Sequence, residues 1–189
     1  VVVGAVDAAP GGFIQAGAAY VFERNVGGTN TWGEVTKLMA SEKAVGDQFG
    51  NSVSVAGDVV AVGAPMASPG GVALAGAAYV FERNAGGTNT WSEVTKLTAS
   101  DKASFNVFGN SVSVAGDVAV VGACYANVSA GTAYVFERNA GGTNAWGQVA
   151  KLTASDRAAN NLFGNSVSVA GGVAVVGANQ ASPGGASAA

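Results

Sequence analysis

Apolar residues along this chain fall in short runs separated by clusters of Gly, Asn, Thr and Asp, and the runs have two periods. In Phe49–Gly57, Val53 and Val55 alternate with Ser52 and Ser54, the two-residue period of a half-buried strand. The next run, Val59–Val62, is apolar at every position, as a strand covered on both faces must be. Ala18–Arg24 places Tyr20 and Phe22 on one face and Val21 and Glu23 on the other. In Trp32–Leu38 the residues Trp32, Glu34, Thr36 and Leu38 oppose Gly33, Val35 and Lys37. This is the most polar run and is predicted to be an outer edge, where a lysine discourages pairing with another sheet. No segment sustains a 3.6-residue period, which excludes a helical solenoid.

The four runs repeat in tandem. Ala18–Asn25 reads AAYVFERN, as does Ala77–Asn84, and Thr132–Asn139 reads TAYVFERN. Tyr20 to Tyr79 is 59 residues and Tyr79 to Tyr134 is 55; Trp32, Trp91 and Trp146 keep both spacings, as do Phe49-Gly50, Phe108-Gly109 and Phe163-Gly164. The links Gly57-Asp58 and Gly116-Asp117 have the chemistry of two-residue hairpin turns, and the third and fourth runs are joined by Asn-x-Gly-Gly-Thr-Asn. Four antiparallel strands repeated in this way predict an all-β fold, a β-propeller of four-stranded blades. On this reading 1–48 holds strands two to four of a blade, 49–107 and 108–162 are full blades, and 163–189 holds strands one and two plus a tail. The propeller is incomplete within this chain. It is expected to be completed by pairing of its two end portions, by further copies of itself in a homo-oligomer, or as a fragment of a longer chain. The tail Ala181–Ala189 resembles the connector after strand two, and the chain opens on Val1 without a signal-peptide pattern. Both features suit an excised segment.

Composition narrows the function. Only 11% of residues are charged and 49% are apolar, against a usual charged fraction of about 25%. No apolar run reaches the roughly 18 residues of a membrane span. The net charge of −3 gives no basic field for nucleic acid. The chain has no histidine, so a Ser-His-Asp site built on the recurring Asn-Ser-Val-Ser is excluded. Its one cysteine, Cys124, cannot form a disulfide within the chain and reads as a small packed residue. Glu23-Arg24, Glu82-Arg83 and Glu137-Arg138 either bridge neighbouring blades or solvate an edge; the edge is expected, since exposed pairs contribute little. Asn127-Val128-Ser129 fits a glycosylation sequon.

Phe49-Gly50 with Gly63-Ala64-Pro65, Phe108-Gly109 with Gly122-Ala123, and Phe163-Gly164 with Gly177-Ala178, each completed by Tyr-Val-Phe where the unit extends that far, resemble the FG-GAP repeat. That repeat is the blade unit of the integrin α-subunit head and of many bacterial surface proteins. The resemblance covers nearly the whole chain. It implies a propeller, usually of about seven blades, at the cell surface or secreted, used for binding and rarely catalytic. Calcium-binding members carry Asp-x-Asp-x-Asp-Gly between strands one and two. Here the link is only Gly57-Asp58, Gly116-Asp117 or Gly171-Gly172, too few carboxylates for calcium's six to eight oxygens. No metal or other cofactor is expected, and Asp58 and Asp117 read as turn residues.

The units differ from one another in two connector classes. Glu42–Gln48, Asp101–Val107 and Asp156–Leu162 lead from strand four to strand one; Val6–Gln15, Pro65–Leu74 and Cys124–Ala130 lead from strand two to strand three. In an up-and-down blade both classes emerge on one face, and loops on a rigid scaffold are where binding resides. The candidate contacts are Phe13, Ile14, Met66, Leu74, Phe105 and Tyr125; the competing expectation is that they fold back and plug the blade ends. The leading function is a non-catalytic, extracellular or cell-surface module for adhesion, or for binding a protein or glycan. The alternative is a structural subunit of an extracellular fibre or sheath, assembled through repeat-to-repeat contacts.

Overall fold

A computed structural model describes residues 1–182 of the chain, and the tail segment 183–189 lies outside them. Among the described residues thirteen strands form four antiparallel sheets in chain order. The first holds β1 (Val2–Ala5), β2 (Ala18–Arg24) and β3 (Trp32–Leu38). The second holds β4 (Ser52–Ala56), β5 (Val59–Ala64), β6 (Ala77–Arg83) and β7 (Trp91–Leu97). The third holds β8 (Ser111–Ala115), β9 (Val118–Ala123), β10 (Thr132–Arg138) and β11 (Trp146–Leu152). The last pairs β12 (Phe163–Ala170) with β13 (Val173–Ala178). These are propeller blades in an open array, each strand paired with its neighbour in sequence.

The apolar cores lie between successive sheets, and β5 shows why its sequence is apolar throughout. Val60, Val62 and Ala64 join Ala19, Val21 and Leu38 of the first sheet, while Val59 and Ala61 join Val112, Val114 and Val121 of the third. All six of its residues are buried. Within each full blade the Phe of Phe-Gly anchors the seam face: Phe49 packs on Tyr79 and Phe81 with ring centroids 5.5 and 5.9 Å apart, and Phe108 packs on Tyr134 and Phe136 at the same two distances.

Phe-Gly and Gly-Ala meet across each seam. A β-carbon on Gly63 would lie 2.0 Å from the carbonyl oxygen of Gly109 in the next sheet, and one on Gly4 or Gly122 would lie 1.9 Å from that of Gly50 or Gly164. Glycine is therefore the only residue that lets the backbones approach so closely. The same carbonyls accept hydrogen bonds from serine: Ser52 Oγ donates to Gly109 O at 2.8 Å and Ser111 Oγ to Gly164 O at 2.7 Å. Asn51 and Asn110 reach the carbonyls of Asn110 and Asn165, and the amides of Val114 and Val169 donate to Ser54 and Ser113. The recurring Asn-Ser-Val-Ser is the adhesive between inner strands.

Four expectations are corrected. Strand one starts at Ser52 and Ser111 rather than at Phe49 and Phe108, because each Phe instead makes an isolated parallel bridge to Gly17 or Gly76 of the preceding connector. Strand two continues to Ala64 and Ala123. Strand four does form the sheet edge, but its alternation breaks. The register jumps between Val21 and Phe22, Val80 and Phe81, and Val135 and Phe136, so that Val35, Val94 and Val149 are bulged residues without a partner. A bulge moves everything beyond it to the other face. Lys37, Lys96 and Lys151 therefore share a face with the tryptophans, and Lys96 and Lys151 bind acids of the preceding connector, Glu42 at 2.8 Å and Asp101 at 2.5 Å.

The fourth correction concerns the Glu-Arg pairs, which bridge sheets rather than solvate an edge. Glu23 pairs with Arg83, and Glu82 pairs with Arg138 at 2.8 Å. Adjacent residues on a strand point to opposite faces, so each unit offers its Glu forward and its Arg backward. Each Arg also lies over its own unit's tryptophan, 5.2 Å from the Trp91 ring and 5.4 Å from the Trp146 ring. Trp146 Nε1 donates to Glu82 Oε1 at 3.1 Å, whereas the buried Nε1 of Trp91 finds no acceptor among the described residues. Asp58 and Asp117 approach the Arg83 and Arg138 Nε atoms at 3.1 and 2.7 Å. Neither Nε–H is aligned for a hydrogen bond, so these aspartates supply charge alone. The first turn residues Gly57 and Gly116 have φ 57 and Gly171 has φ 53, as expected for these hairpins.

Two outcomes follow for urea denaturation of dilute protein. Gly63→Ala forces a β-carbon into a backbone oxygen and lowers stability by about 2–3 kcal/mol, while Gly57→Ala, with open space around it, costs only the left-handed penalty of about 1 kcal/mol. Glu82→Ala strands Arg138 and Trp146 and costs about 1–3 kcal/mol, while truncation of the exposed Glu137 changes stability by less than about 0.5 kcal/mol.

Candidate functional site

The two variable connector classes lie side by side, laced by backbone hydrogen bonds. Gly46 and Gln48 donate to the carbonyls of Ile14 and Gln15; Phe105 and Val107 donate to those of Ala73 and Leu74; Asn160 and Leu162 donate to those of Val128 and Ser129. Each connector that enters a blade is thus stitched to the strand-two-to-three connector of the blade before it, and together they make one loop face.

On this face a cleft of about 520 Å³ opens between Glu42–Asp47 and Met66–Leu74. Its volume falls within the range of ligand clefts. Met66, Pro69, Leu74 and Val45 form apolar wall, and Lys43, Asp47, Tyr79 and Lys96 supply polar groups. Most of the polar groups are fixed. Tyr79 Oη donates to the Glu42 carbonyl at 3.1 Å, and burial, with the acids around it, pushes its pKa up. The Lys96 ammonium bonds Glu42 Oε2 at 2.8 Å and holds that carboxyl below its ordinary value. Asp47 is buried, with 7% exposure, and accepts a hydrogen bond from the Ala44 amide at 2.7 Å. Desolvation outweighs that bond and raises its pKa. Asp47 stands where the other two units have Asn106 and Asn161. Nothing in the blade framework therefore requires a charge there.

The candidate residues divide. Met66 and Leu74 line the cleft together; Met66 is half-buried against Val107, Cys124 and Leu162, so it partly plugs the blade end. Phe13 stands at the rim, its ring 5.9 Å beneath the Lys43 ammonium. Ile14 is 64% exposed beside Gly46, and Phe105 is 62% exposed beside Ala73. Tyr125 is exposed and outside the cleft, before a left-handed turn at Asn127 and Val128. Sequence reasoning missed Asp47, Val45 and Lys43. The substitution of Asp for Asn at an otherwise shared position was the available signal for the first.

Other chemistry is spoken for. Cys124 is buried, and burial pushes its thiol up. Asp101 is pushed up by burial, but bonds from Lys151 and Tyr134 outweigh this and leave it below its ordinary value. Asn127 Nδ2 donates to Thr132 Oγ1 at 2.9 Å. The calcium loop of related repeats does not fit here, because the lone Asp58 or Asp117 carboxylate of each turn already faces an arginine. Among the described residues no group of three or more acids, cysteines or histidines is placed to hold a metal, and no helix is long and apolar enough to cross a membrane.

No curated protein gives a significant match to the chain. The model of the FG-GAP repeat matches three times, over residues 32–81, 91–136 and 146–189. Those matches begin at successive tryptophans and carry through the seam motifs, Phe49-Gly50 to Gly63-Ala64 and their copies. The chain belongs to the FG-GAP repeat family.

Proposed function

We propose that this chain is a non-catalytic binding module, extracellular or at the cell surface, that recognises a protein or glycan through its loop face. The family's repeats are commonly protein-binding, generally non-catalytic and typical of surface proteins. The observation that carries the reading is the cleft. It gathers the connectors that vary between units, and it buries a carboxylate that the framework does not need. Exposed Ile14, Val45, Phe105 and Tyr125 spread apolar area around it, as a recognition surface requires. The opposite face presents the polar Asn-x-Gly-Gly-Thr-Asn loops and the Gly-Asp turns. The alternative, a fibre or sheath subunit, would use the end sheets instead of this face.

Selection of displayed peptides on the folded chain tests this. Peptides that enrich should lose at least about tenfold in affinity on Leu74→Ala or Phe105→Ala and keep it on the opposite-face variant Thr90→Ala. Equal binding to all three variants sinks the reading.

Asp47 gives a second outcome. Its folded pKa lies above the unfolded one, so its contribution to stability is greatest in acid and falls away as pH rises through the raised value. Asp47→Asn removes that fall. Melting curves should coincide in acid and separate above the carboxylate range, with the variant the more stable near neutral pH.

A further inference from the structure

The cleft on the loop face holds one charge without a counter-charge. The Lys96 ammonium is taken by Glu42 at 2.8 Å, and the Lys43 ammonium lies over the Phe13 ring. Asp47 forms no ion pair among the described residues, although it is only 7% exposed. Carboxylates are almost never so deeply buried unless they are paired. Only Oδ2 is bonded, by the Ala44 amide. Oδ1 has no donor among the described residues and is not sealed from the cleft that Asp47 lines.

The turn that carries Asp47 does not need its charge. The amides of Asp47, Asn106 and Asn161 donate to the carbonyls of Ala44, Ala103 and Ala158 at 3.4, 3.3 and 3.3 Å, so asparagine makes the same turn. The carboxylate occurs instead where an apolar wall does. The connector across the cleft, Pro65–Leu74, supplies Met66, Pro69 and Leu74 to that wall. Its counterpart in the third sheet, Cys124–Ala130, is shorter and lacks the Pro-Gly-Gly turn, and there the entering connector carries Asn106. A buried carboxylate that departs from the repeat pattern and opens onto a cleft marks a site.

We propose that the cleft receives a lysine side chain from the protein that the loop face recognises, with the ammonium on Asp47 Oδ1 and the stem along Met66, Pro69 and Leu74. The assignment rests on the loop-face reading and narrows its partner from protein or glycan to a protein with an exposed lysine. A sugar would set hydroxyls against Met66, Pro69 and Leu74, whose side chains offer them no hydrogen bond. Lysine sets methylenes there and keeps its charged head for a polar partner. With one carboxylate oxygen free, a compact ammonium also fits better than the guanidinium fork of arginine, which pairs with both oxygens. The incoming ammonium supplies the counter-charge that Asp47 lacks, in a partly enclosed site where salt screens little.

Amide chemical shifts of the isotope-labelled full chain near neutral pH test this. The probes are the Nα-acetyl N-methylamides of lysine, norleucine and arginine. The lysine derivative should move the Gly46 and Asp47 resonances and bind at least about tenfold more tightly than norleucine, which has the stem without the charge. The arginine derivative should bind more weakly than lysine. Asp47→Asn, which places at this turn a residue the other units already use there, should bring lysine down to the norleucine level. Leu74→Ala should weaken lysine and norleucine alike. Equal binding of lysine and norleucine overturns the proposal, as does the absence of a shift with either. So does arginine binding as tight as lysine, or a lysine preference that survives Asp47→Asn. The comparison of probes on the wild type needs no variant, so it decides even if Asp47→Asn misfolds. The two readings fail separately. Selected peptides that need Leu74 and Phe105 but lose nothing when their lysines become norleucine overturn this assignment and leave the loop-face reading in place.

Discussion

The structure depends on a backbone-to-backbone contact. The glycine that precedes alanine at the end of each second strand lies against the carbonyl of the Phe-Gly glycine in the next sheet, with no room for a methyl group. The close approach lets a serine hydroxyl reach that carbonyl and lets the apolar residues of β5 fill both seams. It also brings Glu and Arg of successive units within ion-pair distance. A seam of this kind is stabilised by many small terms acting together. The half-buried ion pairs are worth little singly and gain strength from the tryptophan that excludes water beside them.

Most of the architecture was legible because propeller strands are short and their two periods differ. β2, β3, β6, β7, β10 and β11 run between the residues that the pattern marks. What was not legible depends on neighbours. The bulge at Val35, Val94 and Val149 has no turn residue to announce it. Simple alternation therefore put the lysines on the wrong face and left them looking like edge guards. The Glu-Arg dipeptides were ambiguous for a related reason. Whether a charge at a strand end faces water or another sheet is decided by the next unit, not by local sequence.

The loop face was partly legible. Comparison of the units located the variable connectors, and two of the six chosen residues, Met66 and Leu74, do meet in one cleft. The choice favoured large apolar side chains and passed over Asp47, whose interest lies in its burial and its raised pKa. Burial of a carboxylate in a connector cannot be read from its spacing. A lone departure from the repeat pattern can be, and it is the better guide in a chain whose framework residues are nearly copies of one another.

The uniform seam also bears on how such chains change length. The junction between the second and third sheets uses glycine, serine, glutamate and arginine together, and the junctions on either side repeat its glycine contact with either its ion pair or its serine bond in the same places, so one junction's chemistry is reused at the next. A unit duplicated or deleted in the gene would join its new neighbours with the full set of contacts already in place. Local chemistry of this sort specifies how one blade follows another and leaves their number to be set by the curvature that accumulates along the array.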